Sequence, residues 1–406
     1  MPASARSSVL ASSTPAVLGG APAFDEPIYV TRPRVPPAPR FNALLAQIFE
    51  ARWFTNNGAI VRELEAALAE RLGVAFCRTF CNGTAALQVA LRALDLHGEV
   101  ITTPFTFPAT VHAIEWNALT PVFCDIDRNT YNLDPARVAE LITPRTSAIL
   151  AVHVFGNPCE VDALAALGRA HGLRIVYDAA HAFGVRHRGR PIGQFGDVSI
   201  LSFHATKLFH TAEGGALMGP DASKVARLEL LRNFGIVNQD EVCGVGLNGK
   251  LSELHAALGL ALLDDVDAEL AARAKLAARY GEGLAGIAGL SSQQPAPETE
   301  HNHAYSIIEV DPEAFGLSRD ELHAALGAEQ IVTRKYFHPL CSQNVAYRGL
   351  PSADPQRLPN AHAVAARVLC LPLYGELAAD AVDRIIERIR ALHAAAPRVR
   401  AALQQG

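Results

Sequence analysis

Short apolar runs that alternate with helical segments constrain the fold of this 406-residue chain more than any other feature. Three of the runs, 148–154, 173–177 and 198–203, are rich in aliphatic and β-branched residues and do not alternate with polar ones. This pattern is typical of parallel strands that are covered on both faces. Helical periodicity lies between several runs, as over 161–171. The sequence therefore predicts an α/β domain with a mostly parallel sheet.

The second half of the chain has a different organisation. After residue 251 it is helical and Ala-rich to about residue 290, and a polar loop over 291–300 follows. Strands are predicted near 306–310 and 331–332, and helices over 380–403. We therefore expect a large domain over residues 26–263 and a smaller α+β domain over 264–406. The Ala-, Ser- and Pro-rich residues 1–25 are expected to form a disordered tail.

Composition excludes several classes of protein. The net charge of −5 disfavours a nucleic-acid partner, and no apolar stretch approaches the roughly 20 residues of a membrane span. Seven scattered cysteines indicate a reduced, cytoplasmic protein. The pairs Cys77/Cys81 and His301/His303 lack further ligands at zinc-site spacing, so no metal is predicted. The G-x-G-x-x-G pattern at 281–286 follows a helical stretch and not a strand, so it does not indicate a dinucleotide site.

Two charged residues follow predicted strands, at the edge of a parallel sheet where ligands bind. Lys207, one of only five lysines, comes soon after the run 198–203. Its amine could form a Schiff base with an aldehyde cofactor, or it could simply extend from the strand end towards solvent. Asp178 ends the run 173–177. A buried carboxylate there requires a cation such as a pyridinium nitrogen, unless it only caps a loop.

Two further segments fit the same cofactor. Asn82, Gly83 and Thr84 lie between a strand and a helix, where backbone N–H groups can hold a phosphate, with Ser202 as a further donor. The same triplet could be an ordinary helix cap. Phe107 follows another strand and could stack on a flat ring, or could be a core residue. Taken together, these residues point to pyridoxal phosphate.

An ordered series of motifs resembles the DegT/DnrJ/StrS-type sugar aminotransferases. This family has the fold of aspartate aminotransferase, known as fold type I. The motifs that carry the resemblance occupy 53–56, 82–87, 103–107, 153–158, 178–182, 202–207, 213–215, 246–248 and 336–339.

The resemblance implies a role for each residue around the cofactor's ring. Lys207 would hold pyridoxal phosphate covalently and later shuttle a proton between substrate and cofactor. Asp178 would pair with the ring nitrogen, Phe107 would stack on the ring, and His181 would lie beside the ring hydroxyl. Lys207 is the residue to which the resemblance assigns catalysis.

The resemblance also implies how the phosphate is held. Gly83, Thr84 and Ser202 would bind it, and Asn248 would reach it from a neighbouring subunit. The protein is therefore expected to be a homodimer with shared active sites. Gly249 stands where the family pattern suggests a larger residue.

Members of the family transfer an amino group from L-glutamate to a keto sugar, usually nucleotide-linked, in a ping-pong reaction. The segments 202–207 and 336–340 resemble most the branch that uses dTDP-linked 4-keto-6-deoxyhexoses, although His338 replaces an expected Tyr. Arg334 and Lys335 could face the pyrophosphate or form a surface pair. Alternatives are another keto sugar or keto-cyclitol, a related sugar dehydratase with His in place of the Lys, and a non-catalytic regulator.

Overall fold

The computed structural model describes residues 14–405. The α-helices in this range are α1 (Ala38–Ala51), α2 (Ala59–Arg71), α3 (Gly83–Ala93), α4 (Pro108–Trp116), α5 (Pro135–Leu141), α6 (Val161–His171), α7 (Val225–Arg232), α8 (Glu253–Leu263), α9 (Val266–Leu284), α10 (Pro312–Phe315), α11 (Arg319–Ala328), α12 (Pro359–Arg367), α13 (Ala379–Ala394) and α14 (Ala396–Gln405). The strands are β1 (Phe76–Phe80), β2 (Glu99–Thr102), β3 (Thr120–Phe123), β4 (Thr146–Val152), β5 (Arg174–Asp178), β6 (Arg186–His187), β7 (Arg190–Pro191), β8 (Val198–Ser202), β9 (Gly215–Gly219), β10 (Leu290–Ser292), β11 (Thr299–Glu300), β12 (Ser306–Val310) and β13 (Val368–Leu371).

A seven-stranded sheet in the order β1-β9-β8-β5-β4-β2-β3 forms the centre of the molecule. Six strands run in one direction, because β9 alone is antiparallel to both of its neighbours, β8 and β1. Every residue of β4 is buried, as expected for a strand with helices on both faces. The prediction of an α/β fold with a mostly parallel sheet is confirmed.

The parallel direction brings six strand ends to one edge of this sheet. At that edge β1 leads into Asn82, β5 ends at Asp178, and β8 ends at Ser202. β9 starts there at Gly215, because it runs the other way. The edge therefore gathers residues that lie far apart in the sequence, as parallel sheets with helical crossovers do.

A second, three-stranded antiparallel sheet, β10-β12-β13, packs with α9, α11, α13 and α14 around a separate apolar core. This arrangement supports the predicted division near residue 264, which stays a prediction. The predicted strand at 331–332 is only a single bridge from Ile331 to Ile28. The predicted loop 291–300 contains the end of β10 and all of β11. The G-x-G-x-x-G pattern lies at the end of α9, without a strand before it.

The expected disordered tail is wrong for residues 14–25, whereas residues 1–13 lie outside the described range. Ala23 and Phe24 are buried in the core of the second sheet. The fully buried Glu329 carboxylate accepts backbone N–H groups from Ala16 at 2.7 Å and Ala23 at 2.8 Å. A buried carboxylate needs such donors. Glu329 therefore holds residues 16–23 in place, which the composition of that segment alone does not reveal.

In the part of the chain that the structure describes, no helix combines the length and the apolar character needed to cross a membrane.

Candidate active site

A cleft of about 320 Å³ opens at the edge of the sheet where the parallel strands end. It is lined by residues of the large sheet's strand ends and loops, by Tyr305 before β12, and by three residues in the segment after α11, Arg334, Tyr336 and Phe337. The structure brings together seven residues that the sequence singled out, namely Gly83, Thr84, Phe107, Asp178, His181, Ser202 and Lys207.

Lys207 reaches into the cleft from the loop after β8. Its Nζ donates a hydrogen bond to the hydroxyl of Tyr305 at 3.3 Å and lies 5.9 Å from the centroid of that ring. Burial lowers the pKa of the Lys207 ammonium, because the charged form loses hydration. A lowered pKa raises the fraction of uncharged, nucleophilic amine. Sequence reasoning missed Tyr305, which precedes β12.

Asp178, the last residue of β5, is 5% exposed and forms no ion pair with any described residue. Its Oδ2 accepts a hydrogen bond from the Thr110 hydroxyl at 2.7 Å, and its Oδ1 accepts one from the Ala180 N–H at 3.0 Å. Burial raises the pKa of the Asp178 carboxyl, although both hydrogen bonds and Lys207 oppose this shift. A buried carboxylate with two neutral donors and no ion pair fits a ligand that brings a positive charge.

The start of α3 forms a cradle for an anion. Asn82 caps the helix, since its side chain accepts a first-turn N–H at 2.8 Å. The leading N–H groups of a helix, here those of Gly83 and Thr84, have no acceptor within the helix. A Cβ at Gly83 would lie 3.2 Å from the Cβ of Ser202, and one at Gly215 would lie 2.6 Å from the Gly83 nitrogen. Both glycines are therefore needed for the close approach of three chain segments, and the donors fit a phosphate.

His181 forms one wall of the cleft. Its Nδ1 accepts the Phe155 N–H at 3.2 Å, and burial holds its pKa well below the usual range. The imidazole is therefore neutral, with its proton on Nε2 as a donor. The His181 ring lies parallel to Phe155 and Phe337, at centroid distances of 6.1 and 5.9 Å. These stacked rings fix the plane of the imidazole.

Phe107 is 59% exposed although it is aromatic, and it lines the cleft at the N-cap of α4. The alternative that it is a core residue is wrong. An apolar ring that faces an open cleft is available to stack on a flat ligand.

Three residues from the sequence analysis lie outside the cleft. The exposed Asn248 accepts a hydrogen bond from Lys250 Nζ at 2.6 Å. His338 is also exposed. At Gly249, a Cβ would come within 2.8 Å of Leu247 Cδ1 and 3.0 Å of Phe80 Cδ1, so these side chains fill the space that a larger residue would need.

The neighbouring cations Arg334 and Lys335 have different surroundings. Arg334 lines the cleft, with its guanidinium carbon 5.8 Å from the centroid of Tyr336, and it has no carboxylate partner among the described residues. Lys335 instead forms an ion pair with Asp320 at 3.0 Å. Of these two cations, only Arg334 is placed to bind an anion in the cleft.

A profile of the DegT/DnrJ/EryC1/StrS aminotransferase family matches residues 38–390. The chain belongs to this family. It is 42% identical to a dTDP-4-amino-4,6-dideoxy-D-glucose transaminase of Shigella dysenteriae, over 90% of this chain and 99% of that one. A transaminase of the same name from Escherichia coli is also 42% identical, over 89% and 97% of the two chains.

Solved structures agree with this family assignment. The crystal structure of DesI in the presence of its TDP-sugar product superimposes with a TM-score of 0.92 at 40% identity, and covers 97% of this chain and 99% of that one. Helicobacter pylori PseC, an aminotransferase involved in the biosynthesis of pseudoaminic acid, superimposes with a TM-score of 0.84 at 26% identity, over 90% and 98% of the chains. The DegT/DnrJ/EryC1/StrS family member described here is therefore an aminotransferase, and the resemblance seen in the sequence is confirmed.

Within residues 14–405, no group of three or more His, Cys, Asp or Glu side chains is arranged to hold a metal ion.

Proposed function

We propose that this aminotransferase uses pyridoxal phosphate to transfer an amino group from L-glutamate to a dTDP-linked 4-keto-6-deoxyhexose, in a ping-pong reaction. The observation that carries the proposal is the shared cleft of Lys207 and Asp178, an amine and an unpaired carboxylate beside an anion cradle. The names of the Shigella and Escherichia relatives support the dTDP-sugar acceptor.

The cleft residues fit the parts of the cofactor. Gly83, Thr84 and Ser202 would hold the phosphate, because a helix N-terminus and a hydroxyl supply donors there. Asp178 would pair with the protonated ring nitrogen, and the Nε2–H of His181 would donate to the ring hydroxyl oxygen.

Pyridoxal phosphate, when bound, supplies an aldehyde that links to amines and a ring that accepts electrons from the substrate carbon. Lys207 would hold the aldehyde until a substrate amine displaces it. Its freed Nζ would then take a proton from the substrate carbon. It would return the proton to the cofactor carbon that is bonded to the transferred nitrogen. Tyr305 would position Nζ for this transfer, and Asp178 would stabilise the positive charge of the ring nitrogen.

The visible absorption spectrum tests this function first. The purified protein is expected to show the band of bound pyridoxal phosphate, and L-glutamate should convert it to the band of the aminated cofactor. Addition of dTDP-4-keto-6-deoxyglucose should restore the first band. A keto-cyclitol or a UDP-linked keto sugar that restores it faster would correct the acceptor, whereas a spectrum unchanged by L-glutamate would contradict the donor.

Arg334 would bind the pyrophosphate of the sugar nucleotide, since it lines the cleft and forms no ion pair with a described carboxylate. We expect Arg334→Ala to weaken dTDP binding to the cofactor-loaded enzyme roughly 10- to 100-fold, the usual effect of losing a charged hydrogen bond. Lys335→Ala removes the same charge one residue away and should change the affinity less than about twofold, because its partner is the exposed Asp320. Calorimetric titration with dTDP measures both. Equal losses in the two variants would contradict the assignment.

A homodimer with shared active sites is supported by exposed apolar residues around a second groove. The groove has a volume of about 470 Å³ and lies between residues 56–61 and 226–251. Exposed apolar side chains near it are Trp53, Phe54, Phe234, Ile236, Val237, Val242 and Val245. Such a concentration of apolar surface is typical of a subunit interface. Asn248 lies in the same segment and outside its own cleft, as expected if it serves a partner's site.

Subunit mixing tests the shared site. Lys207→Ala and Asn248→Ala homodimers should each be impaired, because each site then lacks one contribution. In a heterodimer, one site would combine both defects and the other would be intact, so a 1:1 mixture should recover roughly one quarter of wild-type activity. Activity measured after reversible dissociation and reassociation gives the result. A mixture no more active than the mean of its parents would show that each site is built from one chain.

All seven cysteines are free thiols. This supports a reducing compartment, and we propose that the enzyme works in the cytoplasm.

A further inference from the structure

Two buried threonine hydroxyls form a chain that ends on Asp178. Thr110 is fully buried, and its Oγ1 lies 2.7 Å from Asp178 Oδ2. Thr106 is 2% exposed, and its Oγ1 lies 2.8 Å from that of Thr110. Both residues belong to the segment around the start of α4, where the sequence pattern assigns a role to neither hydroxyl.

The chemistry of the groups fixes the direction of the chain. An ionised carboxylate only accepts hydrogen bonds, and a hydroxyl has one proton to donate. The proton of Thr110 is therefore directed at Asp178, so its oxygen accepts the proton of Thr106. Hydrogen bonds aligned in this way polarise one another, and the donor to the carboxylate is strengthened.

The backbone holds these hydroxyls in register with the cleft. Thr110 is the third residue of α4, and Phe107 is its N-cap, so one helix start positions both the exposed ring and the donor to Asp178. The Cys341 N–H donates to Pro104 O at 2.9 Å, and its thiol donates to Thr106 O at 3.2 Å, which fixes the loop before the helix. The β-branched side chain of Thr110 restricts the rotamers open to its hydroxyl.

We propose that Thr110, aligned by Thr106, is a positioning residue that keeps the Asp178 carboxylate charged and oriented towards the nitrogen of the cofactor ring. This inference rests on the proposed function, because it assumes a cationic ring beside Asp178. Thr110 contacts Asp178 from one side, and the Ala180 N–H contacts the other carboxylate oxygen. These two donors occupy part of the carboxylate's accepting capacity and leave the rest for the ligand.

The test compares Thr110→Val, which keeps the shape and removes the hydroxyl, with Thr110→Ser, which keeps the hydroxyl. The valine variant should bind pyridoxal phosphate about tenfold more weakly and lose about tenfold in kcat, with KM for L-glutamate within about twofold of wild type. The pH at which the bound cofactor's spectrum changes should also shift. Thr110→Ser should restore most of both losses, and Thr106→Val should give the same changes at smaller size.

Thr120→Val is the matched control, because Thr120 is an exposed residue at the start of β3. It should leave the cofactor affinity and kcat unchanged. If the wild type binds the cofactor and turns over but Thr110→Val matches it, or Thr110→Ser fails to rescue, this inference is overturned while the proposed function stands. If Thr110→Val does not fold, Thr106→Val decides by the same measurements. A wild type without a cofactor band or turnover would overturn the function itself.

Discussion

Replacement of Lys207 by alanine is expected to abolish both the visible band of the bound cofactor and turnover. The side chain would serve twice, as the covalent anchor and as the group that moves the proton. Loss of proton transfer alone usually costs about 10²–10⁴-fold in rate. Loss of the covalent anchor adds to this loss in rate, because Lys207 is the lysine among the residues that line the cleft. Absorption spectroscopy and a coupled transaminase assay measure the two effects.

Lys224→Ala is the matched control for this experiment. Lys224 forms an ion pair with Asp221 at 3.1 Å near the start of α7 and does not line the cleft. The control should keep the band and the activity of the wild type. Borohydride reduction of the loaded wild type, followed by peptide mass analysis, should place the cofactor on the peptide with Lys207. A persistent band or normal turnover in Lys207→Ala would reject the covalent role.

The predicted site residues that the structure brings together in the cleft follow strands of the large sheet. Long apolar runs predicted these strands, and the parallel direction then required their ends to meet. Lys207, Asp178 and Gly83 therefore needed no knowledge of the packing between elements. Local patterns also predicted the ranges of α6 and β12, which are amphipathic or strongly apolar.

The features that were missed depend on contacts between distant segments. Tyr305 reaches Lys207 across 98 residues of sequence, and Thr110 reaches Asp178 across 68. The contact of Thr110 requires α4 to pack against the strand ends of the large sheet, and the contact of Tyr305 requires the segment before β12 to do the same. Periodicity in the sequence does not predict such packing. β9 was not predicted, because a five-residue strand that begins and ends with glycine has little strand propensity.

Asp178→Asn is expected to separate catalysis from stability. The substitution keeps the size of the side chain and removes the charge that would pair with the ring nitrogen. Breaking a buried charge pair typically costs about 3–5 kcal/mol, so kcat/KM should fall about 10²–10⁴-fold. The fold should remain, since Thr110 can reverse its hydroxyl to accept from the new amide group. Circular dichroism and the transaminase assay check both expectations, and a near-normal rate would remove Asp178 from the ring-nitrogen role.

Asp178→Asn should lower activity, but it should not lower the stability of the cofactor-free protein. Burial raises the pKa of Asp178, so the folded state holds this proton more tightly than the unfolded chain does. The carboxyl group therefore costs no stability below its unfolded pKa of about 3.9 and destabilises the fold as the pH rises towards and past its folded value. Asp178→Asn removes that cost. Its melting temperature at pH 7 should equal or exceed that of the wild type, and the difference should vanish in acid.

With pyridoxal phosphate added, the wild type should melt at a higher temperature than Asp178→Asn. The reason is that a cationic ring would compensate the buried carboxylate only in the wild type. The cofactor-induced rise in melting temperature is thus expected to be larger for the wild type than for Asp178→Asn. Asp25→Asn, a change of an exposed carboxylate, should follow the wild type with and without the cofactor. Equal cofactor-induced shifts in the wild type and Asp178→Asn would mean that this carboxylate meets no charge on the ligand. Its burial at the end of β5 would then require another explanation.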